Sequence, residues 1–177
     1  NNKPKVCLTE LCVCLLVSFK NSLCTIPDTT VDHPVVWTPE KPEHYLRRDF
    51  YGNSASGGTP FLDGRNQAQA KGQNLILYGH NMLDGSMFKP VLQYLTPNFQ
   101  VTHEDIYLEL DGIQYHYQVI AALETSTRSP VYAYTDLSDS TEMEDFRSML
   151  LEETSLDAIP QAEGYLTLST CNNQGGD

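Results

Sequence analysis

Basic side chains are scarce in this chain. Lysine and arginine together number 11 against 23 aspartate and glutamate residues, and the formal net charge is −12. Because proteins bind nucleic acids through a basic surface, this balance argues against a nucleic-acid partner. The acidity itself bears on solubility and specifies no mechanism. At 177 residues, 40% of them hydrophobic, the chain is long enough for one globular domain with a buried core.

A long uninterrupted apolar run is also absent. The most apolar stretch, residues 6–19, follows Lys3 and Lys5, which is the layout of a signal or anchor segment. It is shorter than the ~20 residues that a membrane-spanning helix needs, and Glu10 interrupts it. A buried amphipathic helix is the alternative interpretation. Residues 1–24 are therefore an N-terminal segment whose nature the sequence leaves open.

Cysteine is rare after residue 24, where Cys171 stands alone. The other four are Cys7, Cys12, Cys14 and Cys24. The pair Cys12 and Cys14 lacks a second pair at metal-site spacing, which argues against a zinc site. A single cysteine with histidines elsewhere in the chain is typical of a catalytic thiol. A buried, inert cysteine is the other interpretation of Cys171.

Alternating apolar and polar residues predict a mainly β fold. Residues 165–170 alternate and lead directly to Cys171, which therefore lies at the tip of a strand. Residues 74–78 form a short apolar run typical of a buried strand. Residues 106–110 and 113–119 alternate on either side of an Asp-Gly pair, which predicts a hairpin with a two-residue turn. Such strands with turn signals between them favour a barrel or sandwich.

One helix is predicted among these strands, before the strand that carries Cys171. Residues 141–144 (TEME) fit a capping box at its start. Met143, Phe146 and Leu150 then recur at helical spacing, which predicts one buried face. The acidic outer face is most simply a solvated surface.

A thiol nucleophile needs a partner that activates it, usually histidine. His80 is the candidate, because it ends the apolar strand 74–78 after Gly79 and so also lies at a strand tip. A glycine there allows backbone or substrate to approach closely. The other histidines have different contexts. His33 lies in an extended segment and His44 in a charged loop. His103 lies beside acidic residues, and His116 on an exposed strand face. His80 and Cys171 could meet where two buried strands end.

The sequence resembles the class B sortases in three motifs, residues 78–82 (YGHNM), 84–88 (DGSMF) and 167–171 (TLSTC). Supporting segments occur in the family's order, at residues 26–36, 45–50 and 61–66. The helix before the last strand is similar to the helical insertion of class B. The resemblance covers about residues 25–171 and implies that residues 25–177 form a sortase catalytic domain.

The resemblance implies a membrane-tethered cysteine transpeptidase on the extracellular face of a Gram-positive bacterium. Its fold would be a closed β-barrel of about eight strands. Cys171 would attack the threonine carbonyl of a C-terminal sorting signal, and an amine of a cell-wall precursor or a pilin lysine would release the thioacyl-enzyme. His80 would protonate the leaving amine, Thr170 would help shape the oxyanion site, and Leu46 would line the substrate groove. Nothing in the sequence indicates a cofactor, and no acidic cluster has calcium-ligand spacing.

The sequence departs from the family after Cys171. Sortases place an arginine on the following strand, where it binds substrate and the oxyanion, but residues 172–177 contain none. All five arginines precede the cysteine: Arg47, Arg48, Arg65, Arg128 and Arg147. We therefore expect a C-terminally incomplete catalytic domain that lacks the last barrel strand. The alternatives are a pilin-polymerising enzyme and a catalytically inactive, sortase-like binding module. A papain-like peptidase fits poorly, since its cysteine opens a helix near the N-terminus.

Overall fold

Residues 22–67, 69–154 and 156–171 are described by a computed structural model. Their strands are β1 (Leu23–Thr25), β2 (Asp32–Pro34), β3 (Phe61–Leu62), β4 (Asn74–Tyr78), β5 (Asp105–Leu110), β6 (Ile113–Gln118) and β7 (Tyr165–Ser169). The α-helices are α1 (Pro97–Thr102) and α2 (Ser140–Glu153), and 3-10 helices span Pro42–Tyr45, Lys89–Leu95 and Pro130–Ala133. The predicted mainly β fold is confirmed.

The strands form two sheets. One has the order β2-β1-β5-β6 and the other β3-β4-β7. Val36, just after β2, bridges them: its N–H donates to the Pro60 carbonyl at 3.0 Å, and the Leu62 N–H donates back to the Val36 carbonyl at 2.9 Å. Hydrogen bonds among the described residues do not close the sheets into a ring. The closed barrel of about eight strands therefore stays a prediction.

The predicted hairpin is confirmed as β5 and β6, which pair in antiparallel register with Leu110 opposite Ile113. Asp111 and Gly112 form the turn, with φ of 50° and 82°. Two consecutive positive φ angles define the turn whose twist matches that of the flanking strands. The local sequence alone therefore specified this pairing and its register.

The core lies between the two sheets. Leu75 and Leu77 of β4 pack there against Leu108 of β5, and all three are fully buried. Ile76 on the opposite face of β4 is also fully buried. Burial on both faces explains why the sequence of β4 is a continuous apolar run rather than an alternating one. Strand β1, which the sequence did not predict, brings Cys24 into the same core.

Helix α2 confirms the predicted helix, but its cap differs from the predicted one. The Asp139 carboxylate accepts a hydrogen bond from the Thr141 N–H at 2.7 Å, so the helix begins at Ser140 and Thr141 lies inside it. Aspartate caps a helix at least as well as threonine does. Because Asp139 precedes Thr141 in the chain, it sets the first residue of α2. Phe146 packs against Tyr165 of β7 with ring centroids 5.1 Å apart.

The expectation of a single helix was wrong. Helix α1 and the three 3-10 helices each begin with a proline in the first turn. Proline pre-sets the backbone angle of a helix start, but these segments are too short to show helical periodicity. None of the helices in the described part of the chain is both long and apolar enough to cross a membrane. The apolar run at residues 6–19 lies outside the described residues.

Candidate active site

Strands β4 and β7 run parallel and end together. Tyr78 is paired with Ser169, and His80 and Cys171 each follow two residues later. The ladder continues beyond the strands, since the Gly79 N–H donates to the Ser169 carbonyl at 3.0 Å. His80 and Cys171 therefore follow two strands that are direct neighbours in the sheet, about 4.8 Å apart. The structure thus brings the two predicted site residues to the same end of the sheet.

The His80 ring is held by a main-chain carbonyl. Its Nε2 lies 2.8 Å from the carbonyl oxygen of Leu46, and the ring is partly buried. Because a carbonyl only accepts hydrogen bonds, Nε2 carries the proton in this arrangement. The side chain of Leu46 packs against the cluster of Val36, Tyr45 and Phe61. Leu46, predicted as a groove residue, therefore contacts the histidine through its backbone.

Two glycines allow the close packing around His80. Gly58 has φ of +60°, and a Cβ there would lie 2.4 Å from the Leu46 carbonyl oxygen. A Cβ at Gly79 would lie 2.5 Å from Cγ of Phe88. The sequence suggested that backbone or substrate would approach Gly79, whereas the fully buried Phe88 ring occupies that space. The Phe88 N–H also donates to the His80 carbonyl at 2.8 Å, which folds the loop back onto the histidine.

The two cysteines in the described residues have opposite environments. Cys171 is exposed, while Cys24 is fully buried. Burial, with a smaller contribution from Asp32, raises the pKa of the Cys24 thiol to about 12, so this thiol stays protonated and unreactive. Cys171 is thus the thiol that a substrate could reach. Cys7, Cys12 and Cys14 lie outside the described residues.

Asn81 belongs to the site but was not predicted. Its side-chain Nδ2 donates to the Cys171 carbonyl oxygen at 3.0 Å, and the residue is buried. Asn81 also forms a β-bridge with Met87 across the loop that follows His80. The only sequence signal was an amide directly after the histidine. Asn81 therefore fixes the main chain of the cysteine to the loop of the histidine.

Thr170, directly after β7, has a more enclosed environment than the exposed Cys171. Its hydroxyl is enclosed and has no hydrogen-bond partner among the described residues. Thr170 lines a cavity of about 790 Å³ that Tyr117 of β6 and Leu168 of β7 also border. Successive side chains of a strand alternate, so a contribution of Thr170 to an oxyanion site would come from its main chain. Its oxyanion role stays a prediction.

The other histidines have their own surroundings. His116 pairs with Asp105 at 2.6 Å on the exposed face of β6, and His103 stacks on Phe99. Burial lowers the pKa of His33 and of His44. Within the described ranges, no group of three or more histidine, cysteine, aspartate or glutamate side chains could hold a metal ion.

A mainly β fold in which two parallel strands end in a histidine and an accessible cysteine defines a candidate cysteine-dependent acyl-transfer site. The family model of the sortase domain matches residues 24–176, and the chain belongs to the sortase family. The resemblance to class B is confirmed by relatives that carry the name sortase B. Sortase B of Listeria monocytogenes serovar 1/2a is 32% identical over 153 residues, which are 85% of this chain.

Solved structures agree with the sequence comparison. Sortase B from Listeria monocytogenes superposes with a TM-score of 0.74 at 31% identity, covering 85% of this chain and 87% of that one. A Staphylococcus aureus sortase B–substrate complex superposes with a TM-score of 0.75 at 26% identity, covering 86% and 71%. The chain spans 61% of the length of the curated Listeria relative.

Proposed function

We propose that this chain carries the active site of a class B sortase, a cysteine transpeptidase that cleaves a sorting signal at a threonine carbonyl. The observation that carries the proposal is the parallel register of β4 and β7, which sets His80 beside an exposed Cys171. The Asn81 contact to the Cys171 carbonyl supports it, since it fixes the nucleophile relative to the histidine loop. Family membership supports the reaction class.

In the first step the Cys171 thiolate attacks the threonine carbonyl carbon, and the electron pair of the carbonyl moves onto oxygen. Collapse of this intermediate breaks the carbon–nitrogen bond, and the imidazolium of His80 gives a proton to the departing amine. A thioacyl-enzyme and neutral His80 remain. The Leu46 carbonyl, bound to Nε2, keeps the ring oriented through this transfer.

In the second step an acceptor amine attacks the thioester carbonyl. The amine loses a proton to neutral His80, the carbon–sulfur bond breaks, and the Cys171 thiolate leaves. The pair thereby returns to its starting state with a new amide bond formed. A cell-wall precursor is the proposed acceptor. A pilin lysine would use the same chemistry.

The proposed setting follows from the family. We place the enzyme on the extracellular face of a Gram-positive cell membrane, acting on surface proteins or pilins that bear a sorting signal. We also propose that the barrel is closed by a further strand between β6 and β7. The cavity between these two strands, with the unpartnered hydroxyls of Tyr117 and Thr170 among the described residues, supports that closure.

A second candidate is an inactive module that binds sorting signals without cleaving them. The observation that favours it concerns the arginines in the described part of the chain. Two of the arginines before the cysteine are already engaged, because Arg65 pairs with Asp63 and Arg147 pairs with Glu144. Such a module would retain the peptide groove but not the charged donor for the oxyanion.

A peptide assay separates the two candidates. A set of internally quenched peptides that differ around one threonine is incubated with the protein and an added amine. The proposal predicts cleavage with formation of an amide to the amine, loss of both in Cys171→Ala, and retention of both in the matched control Cys24→Ala. Peptide binding without cleavage would favour the inactive module, and turnover by Cys171→Ala would exclude the proposed mechanism.

A further inference from the structure

A polar and aromatic cluster lies just before the catalytic pair on both strands. Tyr78 and Ser169, the last residues of β4 and β7, are paired in register. Their side chains belong to one connected group, which we call the Asp63 cluster: Asp63, Arg65, Tyr78, Tyr132 and Ser169. Asp63, Arg65, Tyr78 and Ser169 lie in segments that carry the family resemblance, but the sequence assigned none of the five residues a role in the site.

The Asp63 carboxylate is the centre of this cluster. It accepts hydrogen bonds from Arg65 Nε at 2.9 Å, from Arg65 Nη2 at 2.8 Å and from the Tyr78 hydroxyl at 2.9 Å. Burial of the carboxyl favours its neutral form, but the hydrogen bonds from Arg65 and Tyr78 outweigh this and hold the pKa of Asp63 below its usual range. Its own N–H donates to the Ile76 carbonyl at 2.9 Å. The charged hub is therefore attached directly to β4.

Arg65 connects this hub to a distant segment. The same Nη2 that contacts Asp63 also donates to the Tyr132 carbonyl oxygen at 2.8 Å. Tyr132 stacks on Tyr78 with ring centroids 6.3 Å apart and an interplanar angle of 17°. Its hydroxyl lies 3.0 Å from Oγ of Ser169. The main chain, the ring and the hydroxyl of Tyr132 are thus each held over the ends of β4 and β7.

This placement bears on the substrate. A strand rises about 3.3 Å per residue, so the Asp63 cluster lies about 7 Å along the strands from His80 and Cys171. An extended peptide whose threonine carbonyl is at Cys171 has residues within that distance. Arg65 is half exposed, at 52% of its side chain, whereas Asp63 is only 12% exposed. The Asp63–Arg65 ion pair thus supports Tyr132 beside the position of the reacting bond.

We propose that Asp63 and Arg65 are positioning residues that hold Tyr132 as a wall of the peptide site beside His80 and Cys171. The effect that this positioning has on catalysis rests on the proposed function. The wall contacts a part of the peptide that does not react, so its loss weakens binding equally in the ground and transition states. The expected signature is a higher KM at nearly unchanged kcat.

The test compares Arg65→Met with Arg128→Met. Both remove one positive charge, and Arg128 is an exposed residue shortly before the same 3-10 helix, Pro130–Ala133. Hydrogen–deuterium exchange of residues 130–135 is expected to rise about tenfold in Arg65→Met, as for loss of one hydrogen bond to a charged group, and to stay unchanged in Arg128→Met. In the peptide assay, KM is expected to rise about tenfold in Arg65→Met with kcat within about twofold.

The Arg65→Lys variant distinguishes loss of the Arg65 contacts from a general folding defect. Lysine keeps the charge but lacks the bidentate guanidinium. The exchange rate and KM should therefore be intermediate between those of wild type and Arg65→Met. Iodoacetamide labelling of Cys171 should proceed at the wild-type rate in every variant, because Arg65 reaches the strand of the thiol only indirectly, through Tyr132 and through Asp63 and Tyr78. Unchanged exchange, or a fall in kcat at constant KM, would overturn the proposal. A wild-type protein without turnover would refute the proposed function alone, and the exchange experiment would still decide whether Arg65 holds the segment.

Discussion

Replacement of Gly58 by alanine tests whether the Leu46 carbonyl positions His80. A Cβ at this site would lie 2.4 Å from the Leu46 carbonyl oxygen and 2.8 Å from the Tyr45 carbonyl oxygen. Both are backbone atoms, so the contact is relieved only if the main chain moves by about 1 Å, given ordinary separations of ~3.5 Å. The Nε2–oxygen distance of 2.8 Å would then lengthen beyond hydrogen-bonding range.

Three contributions make up the expected loss of folding free energy in Gly58→Ala. The positive φ costs alanine about 1–2 kcal/mol, overpacking costs about 1–3 kcal/mol, and the lost hydrogen bond costs about 1 kcal/mol. We therefore expect the free energy of unfolding to fall by roughly 3–6 kcal/mol, which a domain of mid-range stability, about 10 kcal/mol, survives. The displaced His80 should lower kcat/KM by about 10–100-fold.

Gly112→Ala is the matched control. Gly112 also has a positive φ, +82°, but a Cβ there would meet nothing within 4 Å. Urea denaturation should therefore show only the conformational cost, about 1–2 kcal/mol, and kcat/KM should stay at the wild-type value. A Gly58→Ala variant as stable and as active as Gly112→Ala would refute the role assigned to the Leu46 carbonyl.

Three further predictions concern packing, acid stability and thiol reactivity. Gly79→Ala should lower the free energy of unfolding by about 1–3 kcal/mol in urea denaturation, because its Cβ would lie 2.5 Å from the buried Phe88 ring, and unchanged stability would contradict that packing. The depressed pKa of Asp63 stabilises the fold above the unfolded-state pKa of ~3.9, so the stability difference between wild type and Asp63→Asn should shrink as pH falls below about 4; a difference independent of pH would contradict it. In peptide mapping after iodoacetamide treatment of the native protein, Cys171 should be labelled and Cys24 should not, and early labelling of Cys24 would show that the core opens.

Local patterns in the sequence were sufficient for the elements that carry the site. The Asp-Gly turn specified the β5–β6 hairpin, since two positive φ angles admit few other residues. The apolar run of β4 and the alternation of β7 placed His80 and Cys171 at strand ends. What local patterns cannot specify is which strands pair. That β4 and β7 are parallel neighbours depends on contacts between residues about 90 positions apart.

The supporting contacts of the site are non-local and partly carried by the backbone. The Leu46 carbonyl that holds His80 is 34 residues away in the chain, and a carbonyl leaves no trace in the sequence. Tyr132 reaches Arg65 in the same way, across 67 residues. Gly79 was predicted as a point where backbone or substrate approaches closely, whereas packing places the Phe88 ring there. Such contacts follow from how the sheets meet rather than from any one segment.

The most direct test of the central claim is mass spectrometry of the protein during turnover of the threonine peptide. The account predicts an adduct with the mass of the N-terminal peptide fragment on Cys171, which disappears when an acceptor amine is added and is absent in Cys171→Ala. In His80→Gln, adduct formation should slow by at least about a hundredfold while Cys171 stays accessible to iodoacetamide. An adduct on another residue, or cleavage that continues in Cys171→Ala, would contradict the account.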